Sequence, residues 1–383
     1  MKQKPHPHPL FYASPETSAD LLYFGGFFAP DPFIAFGIGK QRIAVLNALE
    51  YGRAQKASRF DRVLSFEEWR EKARYTYGVS APGAAEFAQI IRLLGQEFTI
   101  PQFVIPQDFP VGLAFKLQEA NVEFTVGTDD FFPQRVIKTA DEIKALRKAN
   151  AAAAAGIRAA ERLLRAAKIG KRGQLIYQQK PLTSERLHEA IAVACIEAGA
   201  AAPDAIAAGG DQACDPHARG TGPLYARQLI IVDVFPRMME TGYYGDMTRT
   251  FLKGRASEAQ HDLVAAVRRA QAQAIKQIRL GCSAARIHAD VVDYFDRCGF
   301  RTERGKGLPQ GFFHSTGHGI GLAIHEAPSL SPRGLRLRKG MVVTVEPGLY
   351  YPGLGGVRIE DVVHVTADGP QKLSRFHYQW ELP

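Results

Sequence analysis

The segment MVVTVEPGLYYPGLGGVRIEDVVHV, residues 341–365, places carboxylates inside apolar runs that predict buried β-strands. In its first half, Thr344 and Glu346 share one face of a predicted strand because side chains alternate along a strand. The dipeptide Pro347-Gly348 then ends this strand, so Glu346 lies at a strand end.

The second half of this segment predicts a strand over residues 355–365 with two ionisable side chains on one face. Val357 and Ile359 share one parity, which places Arg358 and Glu360 together on the other. A carboxylate that leaves water without a partner costs several kcal/mol or more, so acidic residues in such strands need compensating charge.

Three further segments carry an acidic or histidine side chain within a strand-like or glycine-rich run: IIVDVF (230–235), YYGDMTRTF (243–251) and HSTGHGIGLAIHE (314–326). The first two predict an antiparallel hairpin whose tip lies at or near Thr241-Gly242. In that arrangement Asp233 and Asp246 could face each other across the two strands.

The histidine segment predicts an extended loop that another part of the backbone approaches closely. Gly317, Gly319 and Gly321 each disfavour a helix, so a pair of histidines on one helical face is not expected. The glycines do not indicate a dinucleotide site, because the helix and the downstream acidic residue of that fingerprint are not in the required places.

Together these segments supply a candidate ligand set for two divalent metal ions. One arginine cannot neutralise four converging carboxylates, whereas divalent cations can. Four carboxylates and one imidazole suit Mn²⁺ or Co²⁺, with Zn²⁺ or Fe²⁺ as alternatives, better than thiolates would. Taken singly, each residue could be an ordinary side chain on a half-exposed strand. The five candidates are Asp233, Asp246, His318, Glu346 and Glu360.

These segments resemble those of the pita-bread metallopeptidases, family M24, which includes prolidase (Xaa-Pro dipeptidase), aminopeptidase P, methionine aminopeptidase and the metal-free creatinase. The resemblance implies that Asp246 and Glu360 bridge two metal ions. Asp233 would complete one coordination sphere, and His318 with Glu346 would complete the other. Because all five ligands are present, the chain differs from creatinase.

The resemblance also implies roles in substrate binding and catalysis for three histidines and one arginine. His217 matches the histidine near the scissile nitrogen, and His325 would face the developing oxyanion. His314 would hold substrate and protons, although a structural histidine is an equal alternative there. Arg358 would join the polar network around Glu360.

Two features place the chain in the prolidase and aminopeptidase P branch. Methionine aminopeptidases usually carry glutamine where Arg358 stands, and they lack a large N-terminal domain. Within the branch, the short chain and the fourteen positions from Glu346 to Glu360 favour a Xaa-Pro dipeptidase. Aminopeptidase P acting on longer Xaa-Pro peptides and a non-catalytic pita-bread binding protein are the alternatives.

For such an enzyme we expect a metal-bridged hydroxide to attack the scissile carbonyl. Glu346 would receive the proton and pass it to the leaving nitrogen. Because proline's nitrogen carries no amide hydrogen, a pocket shaped for its ring would give selectivity. A dipeptidase must also bind the free carboxylate, and Arg333 in SPRGLRLR is a candidate, with a solvated basic loop as the alternative.

The predicted hairpin departs from the family pattern. The usual Asp-x-Gly is replaced by Asp233-Val234-Phe235, and Asp246 follows after thirteen positions rather than about eleven. We expect the extra residues to change the turn. Phe235 either reshapes a pocket wall or packs in the interior.

The expected fold class is α+β, with a pita-bread catalytic domain over residues 136–383 and a smaller α/β creatinase-like domain over residues 1–135. Thr139 and Glu142 predict a capping box that opens a long helix ending near Lys168. Strand-like and helix-like segments alternate in the N-terminal part: FIAFGI, RIAVLNAL, FEEWREKARY, AAEFAQIIRLLG and QFVIP.

Composition limits the partners and the setting. The 383 residues are 46% hydrophobic and carry a net charge of +9, but the basic residues are dispersed and match no nucleic-acid motif. No long apolar run predicts a membrane span or a secretion signal. Four widely spaced cysteines predict a reduced, cytoplasmic protein. The resemblance implies a homodimer acting on short proline-containing peptides.

Overall fold

The computed structural model describes residues 8–78, 83–128, 131–305 and 309–383. The chain divides into two compact units, Met1–Pro133 and Gln134–Pro383. Among the described residues, no helix has both the length and the apolar character that a membrane crossing requires.

The first unit is built on a four-stranded sheet of order β1-β2-β3-β4, in which only the β3–β4 pair is parallel. A second, two-stranded parallel sheet pairs β5 with β6. Its elements are β1 (Leu10–Ala13), α1 (Ala19–Gly25), β2 (Phe33–Ile38), β3 (Gln41–Leu46), α2 (Ala48–Ala57), β4 (Arg62–Ser65), α3 (Phe66–Tyr77), α4 (Ala84–Glu97), β5 (Phe103–Ile105), α5 (Val111–Glu119) and β6 (Phe124–Val126).

The strands and helices that the sequence predicts in this unit are confirmed. The strand β2 is apolar at nearly every position because both faces are covered, by two separate hydrophobic clusters. The helix α3 begins at Ser65, whose hydroxyl accepts from the Glu68 amide, and its face with Trp69 and Ala73 is buried.

The second unit contains two larger sheets of order β11-β12-β14-β22 and β16-β15-β17-β20-β21. Its elements are α6 (Ala140–Ala166), β7 (Lys168–Ile169), β8 (Leu175–Tyr177), β9 (Lys180–Pro181), α7 (Ser184–Glu197), β10 (Ala200–Ala201), β11 (Ile206–Gly209), β12 (Leu229–Val234), β13 (Arg237–Met238), β14 (Met247–Lys253), α8 (Glu258–Gln277), α9 (Ala284–Arg297), β15 (Gly317–Gly319), β16 (Glu326–Leu330), β17 (Val342–Val345), β18 (Gly348–Tyr351), β19 (Gly355–Arg358), β20 (Asp361–Thr366), β21 (Gly369–Lys372) and β22 (Glu381–Leu382).

The long helix α6 begins where the sequence predicts. The Thr139 hydroxyl accepts from the Glu142 amide, and the Glu142 carboxylate accepts from the Thr139 amide, which completes the capping box. One face of α6 packs, together with α7, on the sheet that contains β12. On β12 the side chains of Val232 and Val234 contact these helices. The alternate residues Ile231 and Asp233 therefore point away from the helices.

The second sheet shows the same division between its two faces. Val343 and Val345 of β17 pack in the cluster formed by α8 and α9. Thr344 and the following Glu346 consequently face the opposite way. Asp233 and Glu346 thus both point away from the helices that cover their sheets.

The alternation predicted one strand from Gly355 to Val365, and this prediction is wrong. The segment forms β19 and β20, which belong to different sheets, and Ile359-Glu360 lies at the break between them. The alternation stops at this bend, where two charged residues, Glu360 and Asp361, are followed by two apolar ones, Val362 and Val363.

Candidate metal centre

All five predicted ligands line one cavity of about 890 Å³ in the second unit. Asp233 lies near the end of β12 and pairs in register with Thr248 of β14. Asp246 is two residues before Thr248, so its side chain lies on the same face of the sheet. His318 lies in the short strand β15. The two glutamates lie just after β17 and just before β20.

The predicted antiparallel hairpin is present, with a tip over residues 239–241 and Gly242 in the left-handed region at a φ of 75°. Within the hairpin, Arg237–Met238 form β13, which pairs with β10 rather than extending β12. The two aspartates are therefore diagonal neighbours on one face and not a directly opposed pair.

The ligand atoms converge on one point. Atoms of Asp246, His318 and Glu360 lie within 4.8 Å of one another. The His318 Nε2 is 3.6 Å from Asp246 Oδ2 and 3.5 Å from Glu346 Oε1, distances longer than good hydrogen bonds. These groups surround a common space.

The charge of this cluster is not balanced by the protein. Asp233 Oδ1 and Glu360 Oε1 are buried and have no hydrogen-bond partner among the described residues. Burial and the charges of neighbouring carboxylates raise the pKa values of Asp246 and Glu360 well above their usual range. Burial also raises the pKa of Glu346 to about 7. An oxygen-rich, partly unsatisfied donor set of this kind fits divalent cations.

Two threonines hold ligands in place from within the strands. The Thr248 hydroxyl donates to Glu360 Oε2 at 2.9 Å. The Thr344 hydroxyl accepts from the His318 amide at 3.1 Å and lies 3.4 Å from Glu346 Oε1. Each hydroxyl therefore fixes a ligand's orientation from a residue on the same sheet face.

The glycines around His318 allow the close backbone approach that the sequence predicts. A Cβ atom at Gly317 would lie 2.0 Å from the Thr344 carbonyl oxygen, which leaves no space for a side chain. The backbone of β15 can thus lie directly against β17, and His318 reaches the ligands carried by its neighbour.

The structure also brings the three predicted histidines to this cavity. The rings of His325 and His318 meet edge to face at 4.3 Å between centroids. Partial burial, with the charges of His318 and His217, lowers the pKa of His325 to about 4. Burial, with the charge of Arg358, lowers the pKa of His314 to about 3, so both rings are neutral near pH 7.

Comparison with known proteins agrees with this geometry. The model of metallopeptidase family M24 matches residues 144–367, which is more than half of the chain. The chain belongs to metallopeptidase family M24.

Relatives and solved structures extend this comparison. A Xaa-Pro dipeptidase of Pyrococcus horikoshii is 30% identical over 277 residues, covering 71% of this chain and 72% of that protein. A Xaa-Pro dipeptidase of Pyrococcus furiosus is 34% identical over 174 residues, and the match spans only about half of that relative (47%). The solved prolidase of Pyrococcus horikoshii has a TM-score of 0.77 at 25% identity, covering 98% of this chain and 95% of that one.

A solved X-Pro aminopeptidase of Thermotoga maritima has a TM-score of 0.79 at 21% identity, covering 98% of both chains. This likeness concerns the fold alone. Together with the prolidase structures it confirms the expected α+β, pita-bread fold of the M24 chain.

Tyr350, which no sequence pattern predicted as a site residue, is fully buried and contacts two residues of the cavity lining in this M24 chain. Its hydroxyl lies 2.9 Å from His314 Nε2 and accepts from Arg358 Nη1 at 3.0 Å. Arg358 Nη2 in turn donates to Asp233 Oδ2 at 2.8 Å. A chain of hydrogen bonds therefore joins His314 to the candidate ligand Asp233. Only its place within EPGLYY, four residues after Glu346, could have pointed to it.

Phe235 both lines the cavity and packs beside it. It follows Asp233 by two residues, and with Phe313 it packs against a hydrophobic cluster that contains Ile206. Ile324 also lines the cavity. The departure from the family's Asp-x-Gly thus adds an aromatic ring to an apolar wall next to a ligand.

Arg333 is exposed and is not among the described residues that line the cavity. It lies in the turn between β16 and β17, with Gly334 donating its amide to Ser331. The geometry therefore gives no support to Arg333 as the group that binds a substrate carboxylate.

Proposed function

We propose that this chain is a dinuclear-metal hydrolase that cleaves the Xaa-Pro bond of short peptides, a prolidase-like Xaa-Pro dipeptidase. The observation that carries the proposal is the set of four carboxylates and one histidine that lines one cavity of an M24 chain, with two buried carboxylate oxygens left without a hydrogen-bond partner among the described residues. The names of the Pyrococcus relatives support the substrate class.

Asp246 and Glu360 would hold both ions, Asp233 one of them, and His318 with Glu346 the other. Mn²⁺ or Co²⁺ best matches this donor set, with Zn²⁺ or Fe²⁺ as alternatives. When bound, two such ions supply an activated water near neutral pH and polarise the scissile carbonyl.

The protein's own groups position the substrate and move the proton. Glu346, at the edge of the cavity, would take a proton from the attacking water and give it to the leaving nitrogen. His325 would donate to the developing oxyanion, and His217 would lie beside the scissile nitrogen. His314, whose ring is oriented by its bond to the Tyr350 hydroxyl, would contact the substrate. Arg358 would keep Asp233 in place.

Selectivity for proline would come from the apolar wall. A tertiary amide nitrogen offers no hydrogen to bind, so the ring must be recognised by shape. Phe235, Phe313 and Ile324 give the cavity an apolar surface beside the ligands. Such a wall can exclude water from the ring while the peptide carbonyl faces the polar side.

Aminopeptidase P acting on longer Xaa-Pro peptides is the second candidate. The cavity, at about 890 Å³, is near the upper end of the usual range for small-molecule pockets and leaves room for a further residue. The same ligands and histidines would serve both activities, so only the length of the substrate separates them.

We also propose that the protein works as a homodimer in the cytoplasm. The family resemblance supports the dimer, and four free cysteines, all in the described part of the chain, suit a reducing compartment. Light scattering after size-exclusion chromatography tests the dimer, and a monomer at micromolar concentration would contradict it.

Metal removal and reloading test the enzymatic proposal. Protein stripped with a chelator should release no alanine from Ala-Pro, and Mn²⁺ or Co²⁺ should restore release. Faster turnover of Ala-Pro-Ala than of Ala-Pro would favour aminopeptidase P. Reloaded protein that cleaves neither peptide would leave only the non-catalytic alternative, a pita-bread binding protein.

A further inference from the structure

A Xaa-Pro dipeptide carries a free carboxylate that must meet a cation in the site. Among the described residues that line the cavity, the arginines are Arg219 and Arg358. Arg358 is 3% exposed, and its guanidinium already bonds to Asp233, Tyr350 and the Pro216 carbonyl. Its donors are occupied, which leaves Arg219.

The backbone around Arg219 is fixed at the edge of the sheet. Its carbonyl accepts from the Ala207 amide at 2.8 Å and lies 2.9 Å from His188 Nε2. Ala207 belongs to β11, where the preceding residue, Ile206, pairs in register with Asp233. Arg219 lies alongside β11, and Asp233 is on the neighbouring strand β12, so their backbones are two strand spacings, about 10 Å, apart.

The position of Arg219 relative to His217 matches the chemistry of a dipeptide. His217 is the histidine assigned to the scissile nitrogen, and Arg219 follows it by two residues on the same cavity lining. In a Xaa-Pro dipeptide the carboxylate carbon is two covalent bonds from that nitrogen. A cation next to His217 is therefore on the correct side of the scissile bond.

The side chain of Arg219 is held loosely enough to accept a new partner. Its Nη2 donates to the Pro203 carbonyl at 2.6 Å, while Nη1 is 3.5 Å from Asp204 Oδ1. Both side chains are largely exposed, 52% for Arg219 and 66% for Asp204. Asp215, the other nearby anion of the lining, accepts from the His217 amide.

We propose that Arg219 binds the C-terminal carboxylate of the substrate, displacing Asp204 from its guanidinium. The inference rests on the proposed peptidase function and deepens it, because it makes the free acid of a Xaa-Pro dipeptide the preferred substrate. Asp204 acts as an internal competitor that keeps the arginine in place when no substrate is bound.

The test compares alanine release from Ala-Pro and from Ala-Pro-amide by the metal-loaded enzyme. Arg219→Gln should lower kcat/KM for Ala-Pro by roughly 10- to 100-fold, the worth of a charged hydrogen bond. Ala-Pro-amide should be cleaved as by the wild type, which also shows that the variant is folded. Asp204→Asn should raise kcat/KM for Ala-Pro because the competing carboxylate is gone.

Two further variants make the result specific. Arg172→Gln changes an exposed arginine outside the cavity lining and should leave both substrates unaffected. Arg333→Gln tests the rival assignment, and a selective loss of Ala-Pro turnover there would overturn the proposal. Equal losses on both substrates in Arg219→Gln, or none, would overturn it as well. If the wild type cleaves neither substrate, the peptidase function itself fails.

Discussion

Glu360 and Asp361 are neighbours in sequence, and each is only 1% exposed, yet they have opposite electrostatic surroundings. Glu360 faces the cavity with one oxygen unsatisfied, and burial with nearby negative charges raises its pKa. Asp361 faces the other way, with Arg249 at 3.0 Å and Lys372 at 2.9 Å. Burial alone would raise the pKa of Asp361, but these cations and a hydrogen bond from Tyr378 lower it.

The difference separates two uses of a buried carboxylate. Around Asp361 the chain supplies its own cations, so the charge is balanced on folding. Around Glu360 it supplies Arg358 and leaves the remaining negative charge for ions from solution. The fold therefore contains the contrast between a carboxylate that the protein balances and a candidate metal ligand within two adjacent residues.

The balanced cluster also holds the unbalanced one. Arg249 Nη1 donates to the Glu360 carbonyl at 2.7 Å and to the Thr248 carbonyl at 2.9 Å. The Gln271 amide contacts the carbonyls of Val345 and Ile359, the residues before the two ligand glutamates, at 3.3 and 3.2 Å. Backbone positions on the cavity side are thus set from the Asp361 side.

The largest effect is expected from Asp246→Asn, which removes the proposed bridging ligand from the unbalanced cluster. Turnover of Ala-Pro should fall by at least roughly 100-fold, because loss of a ligand costs more than loss of a residue that only orients a ligand. The amount of bound metal should also decrease. Elemental analysis and alanine release measure both. In the metal-free protein the same change should raise the midpoint of urea unfolding, because it removes a repelling charge.

The exposed Asp262→Asn on α8 is the matched control and should change neither quantity. Unchanged turnover in Asp246→Asn would refute the bridging assignment. A lower urea midpoint in its metal-free form would show that the cluster is already balanced without ions.

The counterpart Asp361→Asn should be costly with or without metal. It leaves Arg249 buried without its carboxylate, and removing one partner of a buried pair costs about 3–5 kcal/mol. Urea unfolding of the metal-free protein measures this loss. A stability equal to the wild type would break the contrast between the two acidic residues.

Only the part of this contrast that lies in short sequence motifs could be predicted from the sequence. The ligands lie in short motifs, so Glu346, Glu360 and His318 could be assigned from spacing and from family likeness. The partners of Asp361 come from separate segments that only folding brings together, so no local period announces them. For the same reason the cavity contains Arg219, whereas the basic loop with Arg333, more conspicuous in sequence, lies outside it.

Metal binding should separate the two clusters by mass action. Mn²⁺ at 100 times its dissociation constant should stabilise the wild type by about 2.7 kcal/mol, provided the unfolded chain does not bind it. Asp361→Asn should retain much of this increment, whereas Asp246→Asn should lose it. Urea unfolding with and without Mn²⁺ gives the increment, and equal increments in both variants would contradict the division.

The smallest effects are expected from removing the hydroxyl that donates to each carboxylate. Thr248 donates to Glu360 at 2.9 Å, and Ser374 donates to Asp361 at 2.9 Å. Ser374→Ala should cost about 2 kcal/mol of stability, the net worth of two hydrogen bonds, because the hydroxyl also accepts from the Val362 amide; Ala-Pro turnover should be unchanged. Thr248→Val should instead weaken Mn²⁺ binding by roughly 10-fold, because Glu360 loses the group that orients it. In the metal-free protein, Thr248→Val should lower the stability less than Ser374→Ala does. Glu360, with its raised pKa, gains less from a hydrogen-bond donor than the ionised Asp361 does. A stability loss as large as that of Ser374→Ala, with Mn²⁺ affinity intact, would mean that both hydroxyls serve the fold alone.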